Sequence, residues 1–275
     1  MSSTTYDPTG RPIGARLNSG NERTLVLVKA VPRPSKTYQE TVCCAGVTEA
    51  GEWRRLFPVR FRQLAEGKQF RRWQWVDYRW QRPRDDRRKE SRRVEEDSIW
   101  PRDTVPPSQR LSLLTQLLRT STDHASAQEE SLTLIEPREL RLRFRKKTPG
   151  MMEAERQRYR DAARQGSLLD EALAQMEPCP YAVQVPFVDQ DGAEHAPLCE
   201  DWETTATFYR LRQRMSDEAI KQHLEQTYTD HSGGKRVFLA MGTVKRRPNQ
   251  WLLLGVLRVT PPAQGALERQ GELAL

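Results

Sequence analysis

The sequence predicts a mainly β protein with inserted helices, an α+β chain that contains two β units. Five short apolar segments follow one another between residues 23 and 105, with turn residues between them, and this pattern is typical of a small barrel. About five more apolar segments lie within residues 131–262, where charged helical segments separate them. The hydrophobic content of 36% is low but still compatible with a folded chain.

The first β unit is predicted at residues 23–105. A turn at Glu49–Gly51 should join its second and third strands as a hairpin. The residues before the unit are polar and rich in Gly, Pro, Ser and Thr, so we expect residues 1–22 to form a loose tail. The predicted strands are Leu25–Val31, Tyr38–Val47, Trp53–Val59, Phe70–Trp80 and Val94–Trp100.

The second β unit is predicted at residues 131–262, between a helical linker at residues 106–130 and a tail at residues 263–275. Its predicted strands are Leu132–Ile135, Leu140–Phe144, Tyr181–Val188, Arg236–Val244 and Trp251–Val259, of which the last two should form a hairpin. Helical spacing of apolar residues predicts helices at Gln109–Leu118, Met151–Met176 with a break at Gly166, Asp201–Met215 and Asp217–Tyr228.

Basic residues concentrate in the segment Arg54–Arg93. This segment contains fifteen Lys and Arg residues against five Asp and Glu, a local net charge of +10, whereas the whole chain carries +8. Tryptophans interleave with the arginines, and a basic band with aromatic rings can neutralise phosphates and stack on bases. We therefore predict nucleic-acid contacts by Arg71, Arg72, Trp73, Trp75, Arg84, Arg87, Arg88, Lys89, Arg92, Arg93, Lys245, Arg246 and Arg247.

Other interpretations of the basic segment stay open. Aromatic residues that alternate along a strand are more often core residues than stacking platforms. An arginine-rich loop is often only a solvated surface, and its acidic residues can pair with its own cations. We expect mixed roles for the tryptophans, with some packed and one or two exposed.

Cysteine usage and the lengths of apolar segments also bear on the cellular compartment and on whether the protein is secreted or spans a membrane. The four cysteines include the adjacent pair Cys43 and Cys44 and do not form a disulfide framework. The N-terminus lacks the apolar segment of a secretory signal, and no apolar run approaches the ~20 residues of a membrane helix. We therefore expect a cytoplasmic protein with reduced thiols and no membrane partner.

One cluster of polar residues could carry chemistry. Cys179, His195 and Cys199 invite a zinc interpretation, but no Cys-x-x-Cys pair or fourth soft ligand is close in sequence, so we expect no zinc. His195 with Asp201 and Glu203 could alternatively serve a metal-dependent nuclease. The opposing interpretation places both acids in the first turn of a helix, where carboxylates favour the dipole. On that view Trp202 packs into the second β unit, and Asp201→Asn costs little stability.

A series of short motifs also carries a family resemblance. In chain order these motifs are Lys36–Glu40, Cys44–Gly46, Trp53, Leu56–Arg62, Phe70–Gln74, Asp85–Ser91, Ser131–Pro137, His195, Asp201–Glu203, Met241–Thr243 and Pro248–Leu252. Together they resemble the bacterial dual OB-containing domain family. The chain departs from that family near Cys179–His195, where the family carries a tighter cysteine and histidine cluster.

The resemblance implies two OB-like barrels and nucleic-acid binding in bacterial defence or mobile-element systems, and it implies no catalytic activity. From residues and resemblance together we predict a non-enzymatic, cofactor-free protein that binds DNA or RNA, with single strands included. The alternatives are the nuclease described above and an adaptor whose charged helix docks onto a larger effector enzyme.

Overall fold

The computed structural model describes residues 18–31, 33–35, 39–41, 43–61, 64–164 and 177–261. Most of the predicted tails, residues 1–17 and 263–275, lie outside this range, as does the predicted helix break at Gly166. The prediction of a tail up to residue 22 is wrong at its end, because a strand already begins at Ser19. Within the described ranges, no helix combines the length and the apolar character needed to cross a membrane.

The first part of the chain forms a closed five-stranded barrel, as predicted. The strands of this part are β1 Ser19–Lys29, β2 Arg33–Ser35, β3 Gln39–Thr41, β4 Cys44–Val47, β5 Trp53–Phe57, β6 Gln74–Gln81, β7 Ser91–Val94 and β8 Trp100–Thr104. Around the barrel the order is β1, β4, β5, β7 and β6, and β6 pairs with β1 to close the ring. Only β5 and β7 are parallel among these neighbours. This arrangement is compatible with an OB-like barrel.

Strand β1 closes the ring because it is long enough to pair with two neighbours. Its first half pairs with β6 and its second half with β4, and Thr24–Val28 are all buried between them. Gly46 on β4 comes so near β1 that an added Cβ would lie 2.0 Å from the Leu25 carbonyl oxygen. Only glycine fits at this close approach of two backbones.

Four predicted strands are divided in the structure, two of them for identifiable reasons: Tyr38–Val47 becomes β3 and β4, Leu140–Phe144 overlaps two short strands, and Val94–Trp100 and Tyr181–Val188 are interrupted as follows. The predicted fifth strand, Val94–Trp100, is interrupted by the 3-10 turn Glu96–Ser98, and the chain continues as β8, which pairs with β6 outside the ring. The predicted strand Tyr181–Val188 contains Pro186, which has no N–H to donate to a ladder. The segments on the two sides of Pro186 pair with different strands.

The second part of the chain mixes helices with small sheets. Its helices are α1 Pro107–Thr115, α2 Thr122–Ala127, α3 Pro149–Arg164, α4 Trp202–Arg212 and α5 Asp217–Thr229. Its strands are β9 Leu132–Ile135, β10 Glu139–Leu140, β11 Arg143–Lys146, β12 Tyr181–Gln184, β13 Phe187–Val188, β14 Glu194–His195, β15 Arg236–Val244 and β16 Arg247–Val259. The predicted β15–β16 hairpin is confirmed.

A second barrel is not shown. Among the described residues after 130, the strands fall into a three-stranded sheet of β16, β15 and β9 and two smaller sheets. The smaller sheets join β10 with β13 and β14, and β11 with β12. The short strands pair over two to four residues each. The chain is therefore a mixed α+β protein, mostly strands with few helices, and its described barrel is N-terminal.

The barrel and the C-terminal sheet share one hydrophobic core. One buried cluster joins Leu25, Val28 and Trp73 of the first part to Phe238 and Leu257 of the last hairpin. A second cluster fills the barrel interior, and a third lies between α4, α5 and the outer side of the C-terminal sheet. Because apolar side chains from both parts interdigitate, the two predicted units pack as neighbours with a common interior.

A buried ion pair links the two parts beside this shared core. Arg72 precedes β6, and its Nη2 lies 3.0 Å from Oδ1 of Asp201, which is fully buried. The same guanidinium donates from Nη1 to the Val256 carbonyl oxygen at 2.7 Å, and the Val256 N–H donates to Asp201 Oδ2 at 3.3 Å. Arg72 and Asp201 thus fasten the barrel to β16 and to the start of α4.

Asp201 is also the N-cap of α4 and accepts a hydrogen bond from the Glu203 N–H, so the two acids lie at the start of the helix, as predicted. The expectation for Trp202 is wrong. Trp202 is half-buried, whereas Thr204 and Phe208 are the buried positions of the helix. The expected small cost of Asp201→Asn must also be revised, because sequence spacing gave no sign of the partner Arg72.

We expect Asp201→Asn to lower the free energy of unfolding by about 3–5 kcal/mol, since it leaves the Arg72 charge largely buried without its counter-charge. Asp103→Asn is the matched control, because Asp103 is exposed on β8 and should change stability by less than about 0.5 kcal/mol. Urea unfolding of both variants measures the difference. Equal midpoints for the two variants would contradict a structural role for the pair.

Candidate functional site

A cleft of about 980 Å³ lies between the barrel and the β15–β16 hairpin. Its barrel wall is formed by two residues of β5, Arg55 and Phe57, together with residues of β7 and of the basic loop. We define the basic loop as residues 82–90, which connect β6 to β7. Its hairpin wall includes Thr243, Lys245 and Arg247. Cavities of up to about 1,000 Å³ are typical of ligand sites. The cleft is therefore the candidate functional site.

Three arginines at the cleft are available to an anion. Arg84 from the basic loop, Arg93 from β7 and Arg247 from β16 all line the cleft and are exposed. In the part of the chain that the structure describes, none of the three forms an ion pair with an acidic residue. All three were predicted as nucleic-acid contacts, and the fold brings them together from both parts of the chain.

The cleft also has an apolar lining. Val31, Pro58, Leu252 and Leu254 contribute to it, and Phe57 keeps 38% of its surface exposed. An exposed aromatic ring beside cations suits base stacking. The sequence did not identify Phe57, because an apolar residue at the end of a strand gives no sign of whether it faces the core or the cleft.

Three other predicted arginines already have partners. Arg72 holds Asp201, as described above, and Arg88 binds Asp86 through two nitrogens, with Nη2 at 2.6 Å from Oδ2. Arg92 lies 3.0 Å from Glu22 and 4.1 Å above the ring of Trp80. The side chains of the three are only 11–20% exposed. Their guanidinium groups thus stabilise the fold, as the interpretation of internal pairing anticipated.

The ion pairs of the basic loop also lower the pKa values of its two aspartates. Burial opposes the ionisation of Asp86, but hydrogen bonds from Arg88 and Ser91 outweigh it, so that the pKa of Asp86 lies below its usual range. The hydrogen bond from Lys245 lowers the pKa of Asp85. Both acids are therefore anionic at neutral pH and partly offset the loop's positive charge.

The predicted tryptophans are not at the cleft. Trp73 is 7% exposed, has a positive φ of 69° and belongs to the shared core. Trp75 is half-buried and packs against the same core. The tryptophan that is 57% exposed is Trp100, on β8, which does not line the cleft. The alternation of aromatic residues in this segment therefore marks core packing, as the second interpretation held.

The remaining predicted contacts are exposed. Lys245 lines the cleft and pairs with Asp85 of the basic loop. Lys89 lies on the basic loop and donates a long hydrogen bond of 3.4 Å to the Gln128 carbonyl oxygen. Arg71, Arg87 and Arg246 are exposed outside the cleft lining, and none of them has an acidic partner among the residues that the structure describes.

The histidine and cysteine cluster is dispersed by the fold. His195 Nε2 lies 2.7 Å from Oδ2 of the buried Asp189, and its ring stacks on Phe187. Asp201 is committed to Arg72 and to backbone N–H groups, and burial raises its pKa against the effect of Arg72. Across the described ranges, no three His, Cys, Asp or Glu side chains lie close enough to hold a metal ion. The alternative set of His195, Asp201 and Glu203 thus forms no metal site.

We expect Cys44 and Cys199 to resist alkylation in the folded protein. Burial raises the pKa of Cys199 to about 12 and also raises the pKa of Cys44, so that little reactive thiolate forms at neutral pH. Mass spectrometry after iodoacetamide treatment, with and without urea, measures this. Modification of either thiol at the same rate in both conditions would contradict the prediction.

Comparison with known families gives two matches. A family described as a domain of unknown function (DUF8758) matches residues 20–119, the range of the barrel, β8 and α1. A second, described as a domain of unknown function (DUF8757), matches residues 114–273. No curated protein matches the chain. Because the second match spans more than half of the 275 residues, the chain belongs to the DUF8757 family of unknown function.

Proposed function

We propose that the protein binds nucleic acid in the cleft between the barrel and the β15–β16 hairpin. The observation that carries this proposal is the convergence of Arg84, Arg93 and Arg247, three exposed arginines without acidic partners among the described residues, on one apolar-lined cleft. Arginines neutralise phosphates, and Phe57 is an aromatic residue of the cleft lining that is 38% exposed and can contact a base.

We also propose that the barrel is an OB fold. The strand order, with the parallel pair β5–β7, supports this assignment. OB folds bind oligonucleotides on their second and third strands, between the loops after strands one and four. Here the cleft lies against β5, the basic loop and Ala30–Val31, which follow β1. A second OB-like unit and a role in bacterial defence remain predictions from the family resemblance.

The cleft suits a single strand better than a duplex. About 980 Å³ is near the upper limit of ordinary ligand cavities, which is room for a few nucleotides whose bases are unpaired. Stacking on an aromatic ring also requires an unpaired base. DNA and RNA both meet these requirements. A nuclease is not proposed, because Asp201 is buried and bonded to Arg72.

We expect Arg84→Gln, Arg93→Gln and Arg247→Gln combined to weaken the binding of a labelled single strand and to flatten its salt dependence. Each lost phosphate contact should reduce the slope of log K against log salt by about 0.7. The matched control combines Arg71→Gln, Arg87→Gln and Arg246→Gln, which removes the same charge outside the cleft lining. Fluorescence anisotropy at about 50 and about 200 mM salt gives both slopes.

Equal losses in the two triple variants would mean that net charge, and not the cleft, attracts the strand. A wild-type protein that binds neither single-stranded DNA nor single-stranded RNA at low salt would refute the proposed function itself. A larger loss of strand affinity in the control triple variant would place the nucleic-acid interface outside the cleft.

A further inference from the structure

The basic loop is tied across the cleft to the opposite wall. Asp85 pairs with Lys245 at the tip of the β15–β16 hairpin, and Arg88 Nη1 donates to the Thr243 carbonyl oxygen at 2.9 Å. The two hairpin residues, Lys245 and Thr243, both line the cleft. The loop that carries Arg84 is therefore held to the hairpin by two contacts.

The two contacts differ in how easily they can break. The Asp85 and Lys245 side chains are 82% and 40% exposed, and exposed ion pairs are weak because water and salt compete for them. Arg88 is 20% exposed and is braced by Asp86, which itself accepts a hydrogen bond from Ser91. The Asp85–Lys245 pair is consequently the contact that an incoming anion displaces first.

Polar atoms without partners lie deeper in the same cleft. Arg55 is 6% exposed and Thr243 is 7% exposed, and both line the cleft. Arg55 Nε and Thr243 Oγ1 have no hydrogen-bond partner within the described structure. The two residues also meet at one atom, the Ser131 carbonyl oxygen, which accepts from Arg55 Nη2 at 3.0 Å and from the Thr243 N–H at 2.9 Å.

A buried donor without a hydrogen-bond partner costs free energy, and a ligand that accepts its hydrogen bond removes that cost. Buried polar groups are nearly always hydrogen-bonded, and buried charges are normally paired. Arg55 has no carboxylate partner among the residues that the structure describes. A guanidinium N–H and a hydroxyl of two residues that line the same cleft are donors suited to phosphate oxygens.

We propose that Asp85 is an autoinhibitory latch for the cleft. With no ligand bound, its carboxylate occupies Lys245 in place of a phosphate and holds the basic loop against the hairpin. A bound strand displaces Asp85, takes Lys245 as a further phosphate contact, and moves the loop enough for a phosphate to reach Arg55 Nε and Thr243 Oγ1. The inference rests on the proposed function and adds its regulation and its innermost phosphate site.

The energetic consequence follows from population shift. A ligand that binds only the open cleft must offset the cost of opening it, so the latch lowers the apparent affinity. Removing the latch should therefore strengthen binding, which is the opposite of what loss of an ordinary contact residue does. That sign separates an autoinhibitory residue from a binding residue.

We expect Asp85→Asn to bind a single-stranded oligonucleotide about 1.5 to five times more tightly than wild type, the range of a weak exposed ion pair. The slope of log K against log salt should not become shallower, since Lys245 remains available to phosphate. Asp103→Asn is the matched control, because it removes the same charge from exposed β8, away from the cleft lining. An equal gain in both variants, or weaker binding by Asp85→Asn, would overturn the latch.

A matched pair of variants tests the innermost phosphate site separately. Thr243→Val removes a buried hydroxyl that has no partner, so it should leave the melting temperature unchanged or slightly raised while weakening strand binding several-fold. Thr133→Val removes another buried, unpartnered hydroxyl, on β9 and outside the cleft lining, so its melting temperature should likewise not fall and its strand binding should equal that of wild type. Unaltered binding by Thr243→Val would show that no phosphate reaches that hydroxyl.

Failure of the latch can be told from failure of the proposed function. If the wild type binds strands and the cleft triple variant weakens binding, while Asp85→Asn matches Asp103→Asn, the latch alone is wrong. If wild type and Asp85→Asn both fail to bind labelled strands and inorganic pyrophosphate, both proposals fall.

Discussion

The buried pair of Arg72 and Asp201 is the constraint on which the rest of the arrangement depends. It joins the loop before β6 to the start of α4 and to β16, and it sits beside the core that the barrel and the C-terminal sheet share. A desolvated ion pair requires fixed geometry to offset its cost. By fastening β16 to the barrel beside the shared core, this pair helps to hold the two walls of the cleft against each other, and with them the arginines that line it.

The arginines of the chain divide into two groups according to their partners. Arg72, Arg88 and Arg92 are held by acids and are largely shielded, so they build the interface and the basic loop. Arg84 and Arg93 come from the same basic segment but remain available to a ligand. The arginines of that segment therefore have two roles, stabilisation of the fold and availability to a ligand. The role of each arginine depends on whether an acidic residue pairs with it, and not on its position in the sequence.

Local sequence patterns identified the barrel, the final hairpin, the helices α4 and α5, and the segment that supplies most of the cleft's cations. They could not identify the contacts made across the fold. Arg72 and Asp201 are 129 positions apart, and Arg92 and Glu22 are 70 apart, so no spacing rule connects them. Trp73 and Phe57 illustrate the same limit, because the choice between core and cleft depends on the C-terminal hairpin. The short strands β10 to β14 gave too little pattern to exclude a second barrel.

Photo-crosslinking of a bound single strand to the protein tests the central claim most directly. The chain offers a built-in comparison, since Phe57 is exposed in the cleft and Trp100 is exposed on β8, outside it. With a photoreactive base in the strand and peptide mapping by mass spectrometry, we expect crosslinks at Phe57 and along β16. Crosslinks confined to Trp100 and its neighbours on β8 would contradict the account, because they would place the nucleic acid outside the cleft.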